Sequence, residues 1–118
     1  MKTILIAEDD TGMQDAIQLI LTRAKFRPVV ITNGDVLLRR EFEVPDLFIL
    51  DKQLSGVDGL DVCRFLKSQD DVRHIPVIML SANPHIGVLS RDAGAESFLE
   101  KPFKMKELLE LIGRYIDK

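Results

Sequence analysis

A single cysteine, Cys63, occurs among the 118 residues, which excludes an internal disulfide. That scarcity fits a reducing cytoplasm. Cys63 stands on an apolar helical face, so packing rather than catalysis is its expected role. Positive charge is not in surplus either: 16 Lys and Arg face 19 Asp and Glu, for a net charge of −3. Phosphate backbones select clustered Lys and Arg, so direct nucleic-acid binding is not expected. No apolar run approaches the roughly 20 residues of a membrane helix. The start, Met1-Lys2-Thr3-Ile4, leads to no A-x-A cleavage pattern. A cytoplasmic protein with no membrane partner is the expectation. Linkers, low-complexity stretches, charge blocks and short repeats are also absent, and 1–118 reads as one domain. The two histidines, His74 and His85, have no partner at ligand spacing and read as surface residues.

What the chain does have is apolar content, 46%, in an alternating arrangement. Short apolar runs occur at Ile4-Leu5-Ile6-Ala7, Val29-Val30-Ile31, Leu47-Phe48-Ile49-Leu50, Val77-Ile78-Met79-Leu80 and Phe98-Leu99. They are nearly continuous, as strands buried on both faces of a parallel sheet are. Helical stripes lie between them. Met13, Ala16, Ile17, Ile20, Leu21 and Ala24 form the first; Val62, Cys63, Phe65 and Leu66, after Asp58-Gly59, form another; Met105, Leu108, Leu109, Ile112, Tyr115 and Ile116 form the last. A short helix is expected over 33–41, capped by Asn33 or Asp35. A weaker one is expected over 84–92, with Pro84 at its start and Gly94 just past its end. Gly87 inside it works against it. Strands alternating with helices predict an α/β fold with helices on both faces of one sheet, and ligands then bind outside the carboxyl ends of the strands.

The residues after each run therefore matter most. They are Glu8, Asp9 and Asp10; Asp51; Ser81; and Glu100, Lys101 and Pro102. Taken singly, each has an ordinary explanation: Asp10 as a helix cap, Asp51 as a turn former, Ser81 as a cap, Lys101 as a solvated loop lysine. Together they bring at least three carboxylates, a hydroxyl and an ammonium to one rim. Carboxylates held close stay ionised only beside positive charge. Mg²⁺ suits such a rim, since it takes hard oxygen ligands and commonly shares its site with phosphate. Lys101 supplies a point charge for a phosphoryl oxygen, and Asp51 could then act as a nucleophile toward phosphorus.

The stretches Ile4-Leu5-Ile6-Ala7-Glu8-Asp9-Asp10, Pro45-Asp46-Leu47-Phe48-Ile49-Leu50-Asp51, Gly56-Val57-Asp58-Gly59, and Gly94-Ala95 leading into Phe98-Leu99-Glu100-Lys101-Pro102-Phe103 resemble the receiver domains of two-component response regulators, including the small chemotaxis regulators. The resemblance runs from Thr3 to Ile116. It implies a doubly wound, five-stranded parallel sheet of order 2-1-3-4-5, an order given for flavodoxin-like folds in general. It implies that Asp51 is the phospho-acceptor and that Glu8 and Asp9 are the acidic pair, with Asp9 a direct Mg²⁺ ligand. The backbone carbonyl of Gln53 is then the third protein ligand. Ser81 is the hydroxyl that turns to the phosphoryl group, and Lys101, followed by cis-Pro102, contacts it as well. Phe98 is either the aromatic that swings inward with Ser81 or plain packing. Gln53 and Asn83 either flank the attacking water and tune lifetime or are exposed polar loop residues.

The implied partners are a sensor histidine kinase or histidine phosphotransfer protein upstream, and a downstream protein or a fused output domain. The chain ends soon after the last stripe, which leaves a stand-alone receiver and an excised one both open. The implied activity is a switch that catalyses only its own phosphorylation and dephosphorylation. Three departures stand out. Ser55 replaces the family's usual proline in the loop after Asp51, which predicts a looser loop. The stretch from Ser81 to Lys101 is about two residues shorter than the family pattern, so the fourth helix or its flanks are expected to differ. Phe98 lacks the hydroxyl of a tyrosine. Three other functions compete with this one. A Mg²⁺-dependent, aspartate-nucleophile phosphohydrolase would want a second acid where Gln53 stands. A flavin module would be repelled by Glu8-Asp9-Asp10. A degenerate docking receiver would not need Asp9, Asp51 and Lys101.

Overall fold

The computed structural model describes residues 1–117. Five strands, β1 (Thr3–Ala7), β2 (Arg27–Ile31), β3 (Leu47–Asp51), β4 (Val77–Ser81) and β5 (Ser97–Glu100), form one sheet. Its order is β2-β1-β3-β4-β5, and every pairing is parallel. The helices between them are α1 (Thr11–Arg23), α2 (Asp35–Leu38), α3 (Gly59–Lys67), α4 (Ile86–Asp92) and α5 (Met105–Gly113). A two-rung antiparallel ladder, Gln53–Leu54 against Val57–Asp58, lies between β3 and α3.

The apolar runs explain the layering. Successive side chains of a strand point to opposite faces. Leu5, Ala7, Phe48, Leu50, Val77 and Met79 accordingly pack with residues of α2, α3 and α4. Their neighbours Ile4, Ile6, Leu47, Ile49, Ile78 and Leu80 pack with residues of α1 and α5. Strands β3 and β4 are buried along their whole length, whereas edge strand β5 alternates between half-buried and exposed. Asp10 caps α1 by accepting from the amides of Gly12 at 2.9 Å and Met13 at 3.4 Å. Cys63 is buried, its thiol donates to the Ala93 carbonyl at 3.5 Å, and burial pushes its pKa up to about 11. Among the described residues no helix is long and apolar enough to cross a membrane.

Some boundaries differ from the sequence pattern. The helix expected over 33–41 shrinks to Asp35–Leu38. Asn33 makes a turn ahead of it, its side chain accepting from the Asp35 amide at 2.8 Å, and Arg40 at φ 61° stops any continuation. The helix expected from Pro84 begins at Ile86, while Gly94, at φ 89°, does stand just past its Ala93 cap. Helix α5 ends at Gly113, yet Ile116 still packs on the core beyond it, which is why the apolar stripe ran on.

One close approach bears on the site. A Cβ on Gly59 would stand 2.0 Å from the Asp51 carbonyl oxygen, and the Gly59 amide donates to the Lys52 carbonyl at 2.7 Å. The start of α3 is thus pressed against the end of β3. Gly59→Ala is expected to cost about 3 kcal/mol, because the backbone it meets cannot move aside as a side chain can. Urea unfolding checks this; an unchanged midpoint would contradict it.

Candidate functional site

Strands β1, β3, β4 and β5 end together, so the loops that follow them share one rim. Glu8 follows β1 and is fully buried. Its amide donates to the Ile31 carbonyl at 3.1 Å, its own carbonyl accepts from the Gln14 side chain, and its carboxylate accepts from the Asp10 amide at 3.4 Å. Asp51 closes β3 and is 5% exposed; the Gln53 amide donates to its Oδ1 at 3.0 Å. Lys101 follows β5, and its amide is fixed by the Ser81 carbonyl at 2.8 Å. Its Nζ reaches Asp51 Oδ2 at 2.6 Å and Glu8 Oε1 at 3.0 Å. Residues 43 or more positions apart in the chain thus meet at one ammonium.

Asp9 is exposed beside this trio, and Ser55 Oγ donates to its Oδ2 at 3.2 Å. One carboxylate oxygen from each of Glu8, Asp9 and Asp51 lies within 4.8 Å of the others. Three acids around one lysine leave negative charge uncompensated. Burial, reinforced by the neighbouring Asp51, raises Glu8 from 4.5 to about 7 despite Lys101. Burial pulls Lys101 down, but its bonds to Asp51 and Glu8 outweigh that and raise it. A cluster of hard oxygen donors short of positive charge fits Mg²⁺.

This has a measurable sign. Folded Glu8 keeps its proton in a range where the unfolded chain has released it. Stability is therefore lost as pH rises from about 4.5 to about 7. A divalent ion must displace that proton, so its stabilisation grows over the same range. The expected outcome is a melting temperature in chelator that falls across this window in wild type and stays flatter in Glu8→Gln, with Mg²⁺ restoring the wild type at the upper end. Equal slopes in the two proteins would contradict this.

The other sequence-selected residues are placed as follows. Ser81 is 4% exposed at the end of β4, and its hydroxyl oxygen accepts from the Asn83 amide at 3.0 Å. The Asn83 side chain in turn accepts from the His85 amide at 2.8 Å. Gln53 is exposed on the ladder. The Lys101–Pro102 peptide is cis. Phe98 does not join the cluster: it is 43% exposed, with its ring over Gly87 in α4. Both histidines are exposed.

Two contacts were not visible from the sequence. Ser55, expected only to loosen its loop, bonds Asp9. Lys52 Nζ pairs with Asp58 Oδ2 at 2.9 Å while Asp58 caps α3 through Oδ1 to the Leu60 amide, so the loop after Asp51 is braced across its ladder.

Residues 4–113 match the family model described as the response regulator receiver domain. The DNA-binding response regulator MtrA of Mycobacterium tuberculosis is 37% identical over 109 residues, which are 90% of this chain and 46% of MtrA. The chain thus spans about half the length of the curated relatives it matches. Among solved structures, the receiver domain of the sensor histidine kinase PA1611 of Pseudomonas aeruginosa, with a magnesium ion coordinated in its active-site cleft, aligns with TM-score 0.85 and 30% identity over 97% of this chain and 96% of that one. The signal receiver domain of a signal transduction histidine kinase from Syntrophus aciditrophicus aligns with TM-score 0.88 and 34% identity over 98% and 89%.

Proposed function

The chain belongs to the response regulator receiver domain family of two-component signalling, and from that premise we propose that it is a phosphorylation-driven switch that accepts a phosphoryl group on Asp51. The observation that carries this reading is the seat of Asp51: 2.6 Å from the Lys101 ammonium and within one ion's reach of Glu8 and Asp9. Residues 1–118 act as one receiver unit.

A phosphohistidine on a sensor kinase or phosphotransfer protein is the donor. An Asp51 carboxylate oxygen attacks phosphorus, an O–P bond forms, and the N–P bond to the imidazole breaks with its electron pair leaving on nitrogen. Glu8, Asp9, Asp51 and the Gln53 carbonyl would hold Mg²⁺, which when bound supplies positive charge against the phosphoryl oxygens. Lys101 gives up its contact with the Asp51 carboxylate for a phosphoryl oxygen. Ser81 donates its hydroxyl hydrogen to another phosphoryl oxygen, which leaves its oxygen free to keep the Asn83 amide. These new contacts favour a second arrangement of the loops after β3 and β4, limited by the difference in contact energy between the two states. Phe98 follows that rearrangement. Gln53 and Asn83 stand where water approaches the aspartyl phosphate, so they set its lifetime. The output is altered binding to a downstream protein or an attached domain; DNA binding in MtrA belongs to that longer protein.

Incubation with Mg²⁺ and acetyl phosphate, followed by intact-protein mass measurement, tests the reading. One added phosphoryl group, dependent on Mg²⁺, is expected. No adduct with any phosphodonor would overturn it, and sustained hydrolysis of phosphate esters would favour a phosphohydrolase instead.

A further inference from the structure

Glu8 and Asp51 are held in place by burial and by Lys101, but Asp9 is not. It is exposed on the loop after β1 and forms no ion pair with Lys101. A carboxylate on an exposed loop turns freely about its last torsion, which is broad in energy. The side chain that restrains it is Ser55, whose hydroxyl donates to Oδ2 at 3.2 Å.

Ser55 is itself fixed. It sits in the turn of the ladder that pairs Gln53 with Asp58 and Leu54 with Val57. Gly56, at φ 81°, makes that turn tight. A parallel bridge ties Ser55 to Asn33, which in turn anchors the start of α2 through the Asp35 amide. The Lys52–Asp58 ion pair closes the base of the same ladder.

We propose that Ser55 is a positioning residue for Asp9: by taking Oδ2 as a hydrogen-bond acceptor it leaves Oδ1 directed for a divalent cation. This rests on the reading of Glu8, Asp9 and Asp51 as cation ligands. A hydroxyl is suited to the task, because it donates to a carboxylate without adding charge that would repel the ion. Partners of this kind typically change metal affinity by about 10-fold or more when removed.

The test is calorimetric titration of the whole chain with Mg²⁺ alone, in the absence of any phosphodonor, for wild type, Ser55→Ala, Ser55→Thr and Asp9→Asn. Ser55→Ala is expected to raise the dissociation constant about 10-fold. Its metal-free melting temperature should stay at the wild-type value, since the side chain is exposed. Ser55→Thr keeps the hydroxyl and should bind as wild type does. A Ser55→Ala protein with wild-type affinity, or a Ser55→Thr protein as weak as Ser55→Ala, would overturn the role of Ser55 while leaving the cation site intact. Wild type without binding, or Asp9→Asn binding as well as wild type, would overturn the cation site itself.

Discussion

Asp51→Asn abolishes phosphoryl uptake from acetyl phosphate while the fold is kept. Asparagine has the shape of aspartate, so the β3 end and the α3 start beneath it need not move. Its amide has no anionic oxygen to attack phosphorus, and the loss is one of chemistry rather than position. The change also removes the charge 2.6 Å from Lys101 Nζ and one of the three clustered carboxylates. Mg²⁺ affinity should fall with it. Glu8, relieved of its acidic neighbour but still paired with Lys101, should titrate lower than about 7. Intact mass over a time course, with circular dichroism to confirm folding, checks this. An adduct of undiminished size in Asp51→Asn would move the chemistry to another residue.

Lys101→Ala should cost the most stability of any single change at the rim. It leaves Glu8 at 0% and Asp51 at 5% exposure, side by side with no cation. Removing one partner of a buried ion pair typically costs about 3 kcal/mol or more, because the remaining charge is uncompensated. Here the cost has a pH signature. Near pH 5, Glu8 is already protonated and less charge is stranded; near pH 8 the full loss appears. Urea midpoints in chelator at both pH values, for wild type and variant, measure the difference. Mg²⁺ should return part of the loss at the higher pH. A loss equal at both pH values would mean that Lys101 matters only as packing.

Much of this arrangement was legible from residues alone. The runs at Ile4–Ala7, Leu47–Leu50 and Val77–Leu80 are continuous because β1, β3 and β4 are covered on both faces, and they appear as strands within a residue of where they were read. Edge strand β5 showed only Phe98 and Leu99, because its outer face alternates. Helix α2 was overdrawn for a local reason: Asn33 spends its side chain on a turn and Arg40 adopts a positive φ, neither of which leaves a mark on apolar spacing.

The site was legible in the same uneven way. Strand-end logic gathers Glu8, Asp9, Asp51, Ser81 and Lys101 because parallel strands end on one side. It says nothing about depth. That Glu8 is sealed while Asp9 is open follows from the end of β2 and from Gln14, contacts that only the folded chain makes. Phe98 was read as inward-moving or packed; its ring lies outward over Gly87, where the absence of a side chain makes room. Ser55 shows the limit most clearly. Read in the chain, it is a missing proline and a looser loop; read in space, it bonds Asp9.

The shared pocket can be located directly. Crystals soaked in Mn²⁺, which takes the same oxygen ligands as Mg²⁺ and scatters anomalously, should show one ion in contact with the carboxylates of both Asp9 and Asp51, with Lys101 on the far side of Asp51. An ion bound elsewhere, or a pocket that stays empty while Asp9 and Asp51 turn apart, would contradict a common seat for the cation and the phosphoryl group.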